Sequence, residues 1–184
     1  MPLQRFYDVD YTNRKVLNVV TSYPECDQLS EDVSEAFKLW QALKGDCTLP
    51  LHSDFHLDEL PPKIVPWTIV YDIIDEGKDF YYRFFGTQRV NAHRKNYTGL
   101  HVSDMEPLSI RDKILGELRE VCAEAKPTLI TTTARAYDTE FQYRMLRLPL
   151  SENGETVSRI IAMTFDGTGP ELNTHLMRRW HKTD

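Results

Sequence analysis

The sequence has few thiols, and none in a ligand or redox pair. Cys26, Cys47 and Cys122 are its three cysteines, and no two form a C-x-x-C pair. An odd number at irregular spacing points to reduced thiols. Long apolar runs are absent as well. None approaches membrane-spanning length, and the N-terminus MPLQRFYDVD has no apolar stretch of the signal-peptide kind. A surplus of positive charge is also missing: the formal net charge is −6. General nucleic-acid binding needs basic surface against phosphate, so that class is set aside. The basic stretch Arg178 to Lys182 reads as a solvated helix end. The expectation is a soluble, cytoplasmic protein with neither membrane nor nucleic acid as partner.

What is present suffices for a core. The chain has 184 residues, 41% hydrophobic and 11% aromatic, which suits one domain with extensions. Its centre is Trp67 to Thr87, read as one β-hairpin. Trp67 to Ile74 is dense in β-branched and aromatic residues, and Phe80 to Phe85 is nearly all aromatic. Asp75 to Asp79 forms a short polar loop, with Gly77 for the residue that needs positive φ. Trp67, Ile69, Tyr71 and Ile73 point one way, Val70 and Ile74 the other, so both faces need cover.

Upstream, residues 1–29 are weakly patterned, with Lys15 to Val20 as a short strand. Ser30 is an N-cap, followed by Glu31 and Asp32 in a first turn. Val33, Phe37, Trp40 and Leu43 recur at helical spacing over 31–44, and Gly45 stops the helix. Phe37 and Trp40 are too apolar for water, so they cover the sheet or a second copy, and a homodimer through this helix is expected. In the proline-rich loop 46–66, His52, Asp54, His56 and Asp58 alternate. An extended segment would put all four on one side, a set suited to a divalent metal; the plain alternative is a solvated loop, and the choice stays open.

Beyond the hairpin, 88–106 is polar and broken and reads as short helical turns. Pro107 and the cap Ser109, with Asp112 three residues on, start a longer helix that runs to Ala125. Ile110, Ile114, Leu118, Val121 or Cys122, and Ala125 line one face of it. Strands over 128–137, 141–150 and 157–165 follow, the last two joined by a turn at Asn153-Gly154.

Helix, hairpin, short helices, long helix and three strands make an α+β domain. Leu39-Trp40, the loop from Leu49-Pro50 to Pro62, Val70-Tyr71-Asp72, Tyr82 to Thr87 and Tyr97-Thr98-Gly99 together resemble the short bacterial stand-alone PAS proteins. The resemblance covers about residues 35–166. It implies a five-stranded antiparallel sheet in the order 2-1-5-4-3, with helices over one face. The PAS-like domain would span 30–166, with an N-terminal extension at 1–29 and a tail at 167–184. It further implies a sensory or regulatory module that holds a small molecule between sheet and helices, or contacts a separate signalling protein.

A PAS flavin sensor needs an adduct-forming cysteine on the short helices, and 88–106 has none. Haem in such folds takes a histidine from the long helix, and Ile110 to Ala125 has none, although His93 and His101 sit just before it. A colourless protein without cofactor or resident metal is expected, and Cys122 reads as a small apolar residue. The expected ligand site takes Tyr82 and Phe84 from one strand face, Tyr97 from the short helices, and Leu118 and Cys122 from one helix face. Two alternatives stand beside it. One is a ligand-free protein-interaction adaptor. The other is a small cone-shaped α+β enzyme with an Asp–His pair, although no G-x-S-x-G motif is present.

Overall fold

The structure, a computed structural model, describes residues 3–5, 10–11, 14–93, 95–106, 108–136 and 139–165. Pro107 and the tail 167–184, with its basic stretch, lie outside them. In chain order the elements are β1 (Leu3–Arg5), β2 (Asp10–Tyr11), β3 (Arg14–Ser22), α1 (Glu31–Lys44), β4 (Thr68–Ile74), β5 (Asp79–Phe85) and α2 (Thr87–His93). Then come α3 (Leu108–Glu124), β6 (Thr128–Ala136), β7 (Thr139–Ser151) and β8 (Val157–Phe165).

Local chemistry sets most of the boundaries. Ser30 stands in extended backbone ahead of α1, Glu31 and Asp32 occupy its first turn, and Gly45 closes it at φ +49°. Ser30 caps by backbone conformation, since its side chain makes no cap hydrogen bond. The β4–β5 loop is a 3₁₀ turn over Asp75–Gly77. Asp75, Glu76 and Gly77 all have positive φ, so glycine meets only part of the demand. The β7–β8 turn uses side chains: Asn153 Oδ1 accepts from the Glu155 and Thr156 amides, and Ser151 Oγ from the Gly154 amide. Two expectations shift. Trp67 belongs to a 3₁₀ turn, Val65–Trp67, ahead of β4. Ser109 lies inside α3 and does not cap it.

The strands form one antiparallel sheet in the order β1-β3-β6-β7-β8-β4-β5, with β2 paired to β3. The five-stranded sheet expected above is therefore corrected: β3 to β8 are six long strands, with β1 and β2 as short pieces. The addition is β3, which runs along β6 from the Arg14–Ala136 pair to the Ser22–Leu129 pair. It comes from residues read as an extension, and it covers a β6 edge that would otherwise present unpaired backbone groups.

Cross-strand partners share a face of the sheet. Thr128, Arg147, Ala162, Ile69 and Phe85 form one row across five strands, and Ile160, Tyr71 and Tyr82 lie in the next. Helix α3 covers this face, and Arg147 on β7 reaches Glu117 on α3. The opposite face is met by the N-terminal segment: Arg144 donates to the Gln28 carbonyl just ahead of α1, and Arg159 meets His52 at 3.3 Å. The Trp40 indole donates to the Pro149 carbonyl at 2.8 Å.

Phe37 and Trp40 are 1% and 2% exposed within the chain's own core. The apolar face of α1 is thus already covered, and the reason for a homodimer through this helix falls away. The residues His52, Asp54, His56 and Asp58 do not share a side. His52 lies between Glu152 and Arg159, Asp54 accepts from Ser53, and His56 and Asp58 flank and enter a 3₁₀ turn over Leu57–Glu59. No cluster of three or more His, Cys, Asp or Glu suited to a metal occurs among the described residues. Among those residues, no helix is long and apolar enough to cross a membrane.

Gly86, between β5 and α2, has a steric reason for its identity. A Cβ there would stand 2.3 Å from the Pro66 oxygen and 2.8 Å from that of Val65. Both are backbone atoms, which cannot rotate away. Gly86→Ala is expected to cost about 1–3 kcal/mol through this overlap, seen as a lower urea midpoint with unchanged slope. An unchanged midpoint would show that the Val65–Trp67 turn yields freely.

Candidate functional site: a buried charged cluster between the sheet and its helices

The face of the sheet under α3 carries charge that the sequence alone would put outside. Arg147 is 2% exposed, Glu117 3% and Arg89 8%. The strand sets Arg147 in the core because its cross-strand partners, Thr128 and Ala162, face the helix layer. Glu117 is held from both sides. Lys113 donates to one oxygen at 2.5 Å and Arg147 to the other at 2.7 Å. The Lys113–Glu117 pair has the i, i+4 spacing that puts both on one side of α3.

Burial alone would raise the Glu117 pKa, but Lys113 and Arg147 more than offset it, and the carboxyl ends below its ordinary value. Burial likewise pulls Lys113 down, and Glu117 more than restores it. Arg89 forms no ion pair with a carboxylate among the described residues. Burial lowers its pKa. A guanidinium remains charged even so. Its Nη2 lies 3.0 Å from His93 Nε2. Arginine only donates, so that histidine nitrogen is the acceptor.

Aromatic rings continue the cluster. Tyr82 lies 5.0 Å from Tyr71 and 5.5 Å from both Phe85 and Tyr97, ring centre to ring centre. Its buried hydroxyl donates to the Met105 sulfur. Burial pushes the Tyr82 and Tyr71 phenols well above their usual range, so both are neutral donors. The Arg89 guanidinium stands 5.9 Å from the Phe85 ring centre.

Of the expected site residues, Tyr82 and Tyr97 come together, and Leu118 is fully buried in the same core. Cys122 is half-buried against that core, and burial pushes its thiol up to about 11, so it is a protonated, unreactive thiol. Phe84 is corrected. Tyr71 pairs with Tyr82 but Val70 pairs with Phe84, so a bulge at Arg83 inserts one residue into β5. The inversion sends Phe84 to the far face with Val70 and brings Phe85 beside Tyr82 instead.

The enzyme alternative draws on an Asp–His pair, and one is present: His101 Nδ1 is 3.1 Å from Asp79 Oδ2. Asp79 also accepts from the Ser103 hydroxyl and amide and from the Phe80 amide. Partial burial acts to raise its pKa, and those donors bring it below the ordinary value. The carboxylate thus anchors the turn Val102–Asp104 to the start of β5.

Arg89, Glu117 and Arg147 were not selected from the sequence. A usable signal existed: Arg147 interrupts an apolar strand, and Lys113 and Glu117 sit at i, i+4 beside the core residue Leu118. Comparison of the chain with protein-family models, curated proteins and solved structures found no match.

Proposed function

We propose that the chain is a sensory or regulatory module, similar in plan to PAS domains, that binds a small molecule between the α3-covered face of its sheet and the helices, and passes its state to a separate partner. The observation that supports this is the cluster around Tyr82. Polar groups that could orient a ligand converge there with aromatic walls, the combination small-molecule sites use. A core built only for stability gains nothing from burying arginine. The continuous run β6-β7-β8-β4-β5 across this face supports the likeness to the PAS plan.

Leu118→Trp tests the reading, because Leu118 is fully buried under this face. The larger ring is expected to overpack the site, lowering stability by about 1–3 kcal/mol in urea titration, and to remove any small molecule that native mass spectrometry finds on the wild type. A wild-type spectrum free of retained mass, with a destabilised variant, would leave the ligand-free adaptor in its place.

A further inference from the structure

Seven buried side-chain polar atoms lack a hydrogen-bond partner among the described residues. Six of them belong to one layer of the molecule: Arg89 Nε, Arg147 Nε and Nη1, and the hydroxyls of Thr128, Thr132 and Thr164. The three threonines stand opposite Arg147, Tyr143 and Met145 of β7, so all point to the same face as Arg147. Arg147 commits one nitrogen to Glu117 and leaves two donors over. Arg89 forms no ion pair among the described residues, and its hydrogen bond is to a histidine ring nitrogen.

Each of these facts is costly alone. A buried donor without an acceptor forfeits its hydration, and a buried cation without a counter-charge forfeits more. Together they describe a set of donors short of an anion. A guanidinium presents its N–H groups in a planar fork that matches a carboxylate. The rings of Tyr71, Tyr82, Phe85 and Tyr97 beside it would receive an apolar body.

We infer that the ligand is a small organic acid, its carboxylate held by Arg89 and Arg147 and its apolar part against the Tyr82 rings. This rests on the small-molecule reading proposed above and names the ligand's class.

The test uses the full chain with benzoate, its uncharged analogue benzamide, succinate and inorganic phosphate, read by calorimetry and thermal shift. Benzoate or succinate is expected to bind one per chain and to raise the melting temperature, with benzamide at least roughly tenfold weaker than benzoate, the loss of one charge-assisted hydrogen-bond pair. Arg89→Met is expected to weaken carboxylate binding by a similar factor while the circular dichroism spectrum is kept. Without ligand it should melt no lower than wild type, because it removes a cation with no counter-charge among the described residues; a purely structural Arg89 would melt lower. Arg147→Met is the second variant, and Lys113 still pairs Glu117 in it. Benzamide binding as well as benzoate, or benzoate unaffected by Arg89→Met, would overturn the anion and leave the sensory reading intact. A response to phosphate alone would overturn the organic acid. No response to any of the four, with no mass retained on the purified protein, would overturn both.

Discussion

Glu117→Gln should be among the most damaging single substitutions in the chain. The change keeps the shape of the side chain and removes its charge, leaving Lys113 and Arg147 buried beside a neutral amide. Breaking a buried ion pair from one side typically costs about 3–5 kcal/mol, a large part of the 5–15 kcal/mol that holds a domain together. The effect should also depend on pH, with a sign that follows from the lowered Glu117 pKa. A carboxylate whose folded pKa lies below its unfolded value stabilises the fold above the unfolded value, about 4.3 for Glu. That contribution is lost as pH falls through the lower, folded pKa. The gap in melting temperature between wild type and Glu117→Gln should therefore be full at pH 7 and close on acidification below about pH 4. Melting curves across that range decide it. A gap that is small at neutral pH, or that does not change with acid, would mean the ionised carboxylate contributes little.

Trp40→Ala should match it by a different mechanism. Trp40 is 2% exposed, stacks on Phe37 at 6.3 Å, and donates its indole N–H to the Pro149 carbonyl. Truncation removes the apolar contact, opens a cavity and leaves that buried carbonyl without its donor. Losses of about 3–5 kcal/mol are usual for a buried tryptophan. Chemical denaturation should show this loss independent of protein concentration, since the ring is buried inside one chain. Were α1 instead a dimer contact, the wild-type midpoint would rise with concentration and the variant's would not. A loss below about 1 kcal/mol would show that α1 is not an integral part of the core.

How far each feature was legible depended on how far its causes lie along the chain. The boundaries of α1, the β4–β5 hairpin and the Asn153-Gly154 turn rest on caps, glycine and side-chain to backbone bonds a few residues apart, and the sequence displays them directly. The burial of Tyr82 with a partner for its hydroxyl was legible because a buried phenol needs one. Phe84 was misplaced because strict alternation holds only for an unbroken strand, and nothing local announces the bulge at Arg83. Strand β3 is legible only as a short strand in an extension because its partner, β6, begins at Thr128, more than a hundred residues further on.

By itself, then, the sequence determined the helices, the turns and which strands carry apolar faces, since short-range forces act within one or two turns of chain. Tertiary structure alone decided the burial of Arg89, Glu117 and Arg147. Glu117 and Arg147 enter the core because α3 and β7, thirty residues apart in the chain, bring the carboxylate and the guanidinium together, and the fold of α2 against the sheet carries Arg89 in beside them. The same long-range assembly decided that Trp40 closes on Pro149 of its own chain.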